Sequence, residues 1–570
     1  MPVLRPTIRA IAALRSLALV LLMALPLGAL IAPALGAQNS LPDSVRLRVD
    51  AVFARWDHTD SPGCALGISQ DGRTVYERGY GMSELQYALA ITPQSIFHVA
   101  SISKQFTAYA VALLAQDGKL SLDDDIRKFI PDIPDYGTVI TVRQLMSHVS
   151  GLRDQWQLLG YAGWRFPEDL ITEQDVLNIV KRQKGLNFTP QHEYLYSNTG
   201  FSLLAVIVSR VSGISLREFA QQRIFAPLGM THTHFHDDHS MIVPGRTSAY
   251  EPRGSGWRIS IPDFDTYGAT SLFTTTGDLL KWMANLDHTT VGTAQMVAAA
   301  QKSAVLFDGT PAGYGFGLTV GTYRGLTAIG HGGADAGYRA QVERYPDRGL
   351  AIAVLCNASN SGPGVLLHRV ADAVLGTRVP ADAFNVEPVP EPVSAEVLKR
   401  WVGTYHDTVS HTVIRIRQSG DTLRYQNGPR LLPLSDTTLR VSGAPTTLVL
   451  RLDGGKVTGF RQLPRTTRDL VFRREGVMVP TKALMDTYAG SYYSDELDVR
   501  YTLVARDTVL DLEFRKLNGT TLIPAFPDAF LASFGATILF TRDAKQRITG
   551  FTLSDGRVRG VRLDREGVKR

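Results

Sequence analysis

An α+β domain over residues 41–380, followed by two small all-β, barrel-like units, is the architecture this sequence predicts. Three observations predict it. Strand-like runs stand at both ends of the first region with helical patterns between them, a proline-rich stretch then interrupts the chain, and the remainder repeats itself.

In the first region, Ala65 to Ser69 and Arg73 to Tyr80 read as strands joined by a hairpin turn at Gln70-Asp71-Gly72. Gln105 to Gln116 and Thr199 to Val211 carry helical patterns, the former read as amphipathic. Thr327 to Ile329, Ala340 to Arg344 and Leu350 to Cys356 again read as strands, so both ends of the region are expected to share one antiparallel sheet. The two cysteines, Cys64 and Cys356, sit in apolar strand-like runs. Two buried free thiols is the favoured reading; a disulfide requires export and adjacent strands.

Pro388, Pro390 and Pro392 mark a linker over residues 381–396. Beyond it, Leu398-x-x-Trp401-x-Gly403-Thr404-Tyr405 matches Leu484-x-x-x-Tyr488-x-Gly490-Ser491-Tyr492, and Val457-Thr458-Gly459-Phe460 matches Ile548-Thr549-Gly550-Phe551. Two related units follow, residues 397–478 and 482–570, each large enough for a small antiparallel barrel.

At the N-terminus, Arg5, Arg9 and Arg15 precede a charge-free run from Leu17 to Ala37. Residues 1–37 read as a secretory signal peptide, which implies a periplasmic or secreted protein without a membrane partner after cleavage. An uncleaved anchor is the alternative, although Pro26 interrupts the run. Composition is that of a soluble globular chain, 44% hydrophobic and 20% charged. Of the net charge of +6, three charges lie in the first 37 residues, and no basic stripe points to a nucleic-acid partner.

Three short motifs carry the chemistry. Ser101-Ile102-Ser103-Lys104 opens a helical pattern, and residues three apart on a helix share a face, which sets a hydroxyl beside an amine. A serine hydroxyl needs such a base, and a desolvated lysine can serve. Tyr196-Ser197-Asn198 precedes the second helix; a tyrosine held near a lysine can act as general base or acid, because the cation favours phenolate, and the asparagine can bind a substrate amide. His331-Gly332-Gly333-Ala334 follows a strand, where glycines let a substrate backbone approach and a backbone N–H can complete an oxyanion hole.

In this order, and with the flanks Phe97-His-Val-Ala-Ser101, Ile140-Thr-Val-Arg-Gln-Leu-Met-Ser-His-Val-Ser-Gly-Leu152 and Gly268-Ala-Thr-Ser-Leu-Phe-Thr-Thr-Thr-Gly-Asp278, the motifs resemble the serine β-lactamase superfamily of class C β-lactamases, D,D-peptidases, esterases and D-aminopeptidases. The resemblance implies a β-lactamase/transpeptidase-like catalytic domain. It makes Ser101 the nucleophile, Lys104 the activating amine and Tyr196 the proton shuttle. Asn198, His331, Gly333 and Ala334 would bind substrate, with the Ser101 and Ala334 N–H groups as oxyanion hole. His331 stands where class C β-lactamases usually have lysine, and so offers no fixed charge to a carboxylate. Two added β-domains are similar to the D-aminopeptidase arrangement. The implied activity is hydrolysis through an acyl-enzyme of D-amino-acid peptides, small esters or amides, or weakly of β-lactams, with a small-molecule or short-peptide substrate and no cofactor.

Two other classes remain as alternatives. One is a penicillin-recognising scaffold that binds peptidoglycan-like ligands without turnover. The other is a zinc hydrolase, because His234-Phe235-His236-Asp237-Asp238-His239 fits the H-x-H-x-D-H spacing of metallo-β-lactamases. That run follows Ala226-Pro-Leu-Gly-Met-Thr231 rather than an apolar strand, so a solvated histidine-rich loop without catalytic metal is the expectation.

Overall fold

A computed structural model describes residues 40–376, 388–426, 428–444, 446–463, 469–514 and 517–567. The expected signal peptide and residues 381–387 of the expected linker lie outside the described residues.

The first region is built on a six-stranded antiparallel sheet. Its strands are β1 (Cys64–Gln70), β2 (Arg73–Tyr80), β3 (Thr319–Tyr323), β4 (Leu326–Asp335), β5 (Tyr338–Tyr345) and β6 (Leu350–Cys356), in the order β3-β4-β5-β6-β1-β2. Strands from the two ends of the region thus meet at β6 and β1, as expected from their patterns.

Alternation along the strands separates two cores. Cys64, Leu66 and Ile68 of β1 and Ile352 and Val354 of β6 face helices α1 (Asp43–Val52) and α5 (Pro363–Leu375). Ala65, Ala351 and Ala353 face the other way, towards α2 (Ser103–Gln116), α3 (Asn198–Ser212) and α4 (Thr276–Asn285). The small side chains on that face let α4 approach: a Cβ on Gly67 would stand 2.9 Å from the Thr276 Cβ.

Two corrections to the sequence reading arise here. Cys64 and Cys356 are direct partners across β1 and β6, with Cα atoms 4.0 Å apart, and they form a disulfide rather than two free thiols. Their separation of 292 residues hides an adjacency that only the sheet order reveals. Helix α2 is not amphipathic: every residue from Ser103 to Leu114 is buried. It is the central helix of the domain, enclosed on every side, and its polar residues Ser103, Lys104, Gln105 and Thr107 are buried with the apolar ones.

The remainder forms two closed eight-stranded barrels, Gly403 to Arg474 and Gly490 to Arg565. A short helix precedes each, Ala395–Trp401 and Lys482–Tyr488. The sequence repeat has a physical basis. Tyr405 donates its hydroxyl hydrogen to the Trp401 carbonyl at 2.8 Å, and Tyr492 does the same to Tyr488 at 2.6 Å. A Cβ on Gly459 would meet the Phe472 carbonyl oxygen at 1.9 Å, and on Gly550 the Leu563 oxygen at 2.3 Å. Each glycine is therefore required by a neighbouring strand.

The barrels relate differently to the catalytic region. The first encloses its own core around Trp401, Phe460 and Phe472. The second shares one continuous apolar cluster with the helices around α2. At that junction Arg153 and Glu496 form a buried ion pair at 2.5 Å, and Tyr501 donates to the Tyr161 carbonyl at 2.7 Å.

Candidate active site

Ser101 lies in a single 3-10 turn, Ala100–Ile102, that leads into α2. Ala100 takes φ +48°, a left-handed conformation uncommon for a residue with a Cβ. The turn is clamped by Ser103, whose hydroxyl donates to the Ala100 carbonyl at 2.5 Å and accepts from the Leu272 N–H at 3.0 Å.

One turn on, Lys104 is fully buried. Its Nζ lies 2.9 Å from Ser101 Oγ, 2.8 Å from Asn198 Oδ1 and 2.6 Å from the Ala269 carbonyl oxygen. Burial outweighs the favourable charges of Asp335 and Asp154, and with help from the positive Arg557 it pulls the amine down to about 7. At neutral pH about half of such amines carry no proton. A neutral amine in contact with the hydroxyl can accept its proton.

Tyr196 hydrogen-bonds Ser101. Burial pushes its phenol well above the usual 10, against the lowering effect of that bond. The expectation of a phenolate is thus corrected. Lys104 faces the ring, with Nζ 4.9 Å from the centroid, and burial decides the protonation state. A protonated Tyr196 can donate a proton, and Lys104 is the group whose neutral form can accept one. His148 packs against Tyr196 with ring centroids 4.1 Å apart and accepts the Ser197 N–H on Nδ1 at 3.1 Å. Burial, then the Lys104 charge, hold it neutral.

Asn198 opens α3 and is oriented by a residue that sequence reasoning missed. Asp154 Oδ2 accepts both the Asn198 N–H, at 2.6 Å, and its side-chain amide, at 2.8 Å. Asp154 also caps the helix Gln155–Tyr161. Its place, two residues after the quoted run ending at Leu152 and just before a helix, is the signal that could have found it.

His331, Gly332, Gly333 and Ala334 belong to β4 itself, not to a turn after it. A Cβ on Gly333 would stand 2.1 Å from the Val99 carbonyl oxygen, so glycine lets β4 lie against the residues before Ser101. His331 is neutral: burial pushes it down to about 3, with the Lys104 charge adding to the effect. Its Nδ1 donates to the Gly332 carbonyl at 2.5 Å, leaving Nε2 to accept the Tyr314 hydroxyl at 2.7 Å. Tyr314 was not singled out from the sequence, and no local pattern marks it.

Ser101, Tyr196, Asn198, His331, Gly333 and Ala334 line one cleft of about 600 Å³, with Lys104 beneath them. Arg557, from the second barrel, lines it too. Its guanidinium carbon lies 4.8 Å above the Tyr196 ring centroid. More than 400 residues separate it from Ser101, and no motif pointed to it.

The histidine-rich run does not converge as a metal set. His234 and His236 flank the Phe273 ring, while Asp238 and His239 gather with Asp265 at the surface. His239 Nδ1 lies 2.9 Å from the Asp265 carboxylate. The run is also less solvated than expected, since His236 is buried.

Comparison with known proteins follows this geometry. The Beta-lactamase family model matches residues 49–376. The D-aminopeptidase of Brucella canis is 27% identical over 525 residues, covering 88% of this chain and 96% of that relative. The D-aminopeptidase of Cereibacter sphaeroides is 28% identical over 480 residues, covering 83% and 88%. Among solved structures, the octameric penicillin-binding protein homologue from Pyrococcus abyssi shares the fold with a TM-score of 0.54, at 21% identity over 83% of this chain and 98% of that one. The D-amino acid amidase from Ochrobactrum anthropi SV3 does so with a TM-score of 0.51, at 22% identity over 59% and 99%. Because the family match spans more than half of its 570 residues, the chain belongs to the beta-lactamase family, and within it is a serine hydrolase.

Proposed function

We propose that this serine hydrolase cleaves amide bonds on the carboxyl side of a D-amino acid through an acyl-enzyme on Ser101, and that it does so outside the cytoplasm. The observation that carries the mechanism is the buried Lys104 amine, 2.9 Å from Ser101 Oγ and pulled down to about 7. The substrate class is supported by D-aminopeptidases that resemble the chain over 88% of its length. The compartment is supported by the signal-like N-terminus and by the Cys64–Cys356 disulfide, a bond that persists in oxidising surroundings.

Ser101 Oγ bonds to the substrate carbonyl carbon as its proton passes to Lys104 Nζ. The tetrahedral oxygen faces the Ser101 and Ala334 N–H groups. Collapse breaks the C–N bond, and the leaving amine takes the proton by way of Tyr196. Water then attacks the ester, gives its proton to the same path and frees Ser101.

The test is intact mass after exposure to a fluorophosphonate, wild type beside Ser101→Ala, followed by D- and L-alanyl-p-nitroanilide. A single adduct on wild type alone, with the D-substrate preferred, is expected. Equal labelling of the variant overturns the mechanism, and a preference for the L-substrate overturns the substrate class.

A further inference from the structure

We propose that Arg557 is a subsite for a substrate carboxylate, so that the enzyme favours substrates carrying a free carboxylate over uncharged counterparts. This rests on the acyl-transfer reading above and names the charge of its substrates.

Arg557 is held in place rather than trailing from the surface. Its loop joins the barrel strands Ile548–Ser554 and Val561–Arg565. The Arg557 N–H donates to Asp555 Oδ1 at 2.7 Å, and the other Asp555 oxygen accepts the Tyr161 hydroxyl at 2.7 Å. The Arg557 carbonyl accepts from Asn187 Nδ2 at 2.8 Å and from the Asp154 N–H at 3.3 Å. The residue that orients Asn198 therefore also anchors the Arg557 backbone.

Among the described residues no carboxylate forms an ion pair with Arg557. Arg559, two residues on, shows the contrast: it pairs with Glu193 at 3.0 Å. Arg557 instead faces the cleft across the Tyr196 ring. An arginine fixed at its backbone, with a planar fork open to a cleft, is suited to bidentate capture of a carboxylate.

On the other wall His331 supplies no charge: it is neutral, and both of its ring nitrogens are engaged. Arg339 is a second cation in the lining, but its Nη1 is tied to the Ala336 and Tyr338 carbonyls of its own turn. Asp335, the carboxylate in the cleft lining, is held by His98 and Thr270.

Two isosteric pairs of substrates test this and locate the carboxylate. D-alanyl-D-alanine against its C-terminal amide places it on the leaving group. D-glutamyl- against D-glutaminyl-p-nitroanilide places it on the acyl side. Wild type is expected to prefer the charged member of one pair by about 10- to 100-fold in kcat/KM. Arg557→Gln should erase that preference, and Arg557→Lys should retain part of it.

A wild type without preference in either pair overturns the proposal. So does Arg557→Gln slowing both members of a pair equally, which would mark a residue that only tunes Lys104. Binding is read without turnover by protection of Ser101 from the fluorophosphonate, with acetyl-D-alanine set against acetyl-D-alaninamide. Selective protection by the acid in wild type but not in Arg557→Gln is expected. Labelling without such selectivity sinks this proposal alone, and absence of labelling sinks it together with the acyl-transfer reading.

Discussion

Asp154 holds Asn198 twice through one oxygen, at 2.6 Å to the backbone N–H and 2.8 Å to the side-chain amide. With its NH₂ committed to Asp154, the Asn198 amide must turn its oxygen to Lys104. Asp154 thereby sets the environment of the base without touching Ser101. Asp154→Ala leaves a buried N–H unpaired, which costs about 1–3 kcal/mol, and frees the amide to rotate. Thermal unfolding should shift down accordingly. A misoriented Asn198 should lower kcat/KM by roughly 10- to 100-fold. Unchanged kinetics at reduced stability would confine Asp154 to a structural part.

In the proposed mechanism the neutral form of Lys104 is the base, so activity should be lost as pH falls through about 7. Between pH 6 and 8 the neutral fraction, and with it kcat/KM on an uncharged substrate, should rise about tenfold. The phenol of Tyr196, pushed upward by burial, adds no loss near neutrality. Stability follows the same sign. The folded value lies below the ordinary 10.5, so the unfolded chain holds more protons between about 7 and 10.5, and this contribution to stability grows as pH rises through that window. Lys104→Arg cannot lose its proton. That variant should be inactive across the range, and a surviving acid limb would assign it to another group.

The parts of the site written in short stretches of chain were legible in the sequence. Ser101 lies in the turn that leads into α2 and Lys104 one turn on, and Tyr196 and Asn198 are two residues apart, so local spacing brings each pair together. Other contributions depend on packing between distant segments. Ala269 supplies a carbonyl to Lys104 from the quoted Gly268 to Asp278 run, but nothing in that run says which atom matters. Tyr314, Arg557 and the partnership of Cys64 with Cys356 arise from strand order and domain docking, which leave no periodicity. The phenolate expectation failed for a similar reason: the cation beside Tyr196 was readable, while the burial that outweighs it was not.

The disulfide should be detectable by counting thiols. The denatured, unreduced protein should give no free thiol, and reduction should release two. Because the bond spans 292 residues it restricts the unfolded chain strongly. Cys64→Ala with Cys356→Ala should lose about 2–5 kcal/mol of stability, with the pH profile unaltered, because β1 and β6 lie behind the cleft rather than in it. Two free thiols in the unreduced protein would refute the pairing.

The buried pair of Arg153 and Glu496 tests whether the second barrel is part of the catalytic unit. Arg153 precedes Asp154, and Glu496 also accepts the Lys184 N–H at 2.8 Å, so one carboxylate ties the barrel to two catalytic-domain segments. Its two side chains are only 6% and 5% exposed, so Glu496→Ala leaves a charge buried and unpaired. The expected loss is about 3–5 kcal/mol. Replacing both partners by apolar residues, Arg153→Met with Glu496→Leu, should recover much of that stability. The two variants separate stability from alignment. If the pair also registers the Arg557 loop against Asp154, the double variant should be stable yet show weaker kcat/KM. A double variant restored in both would make the pair a structural tie alone.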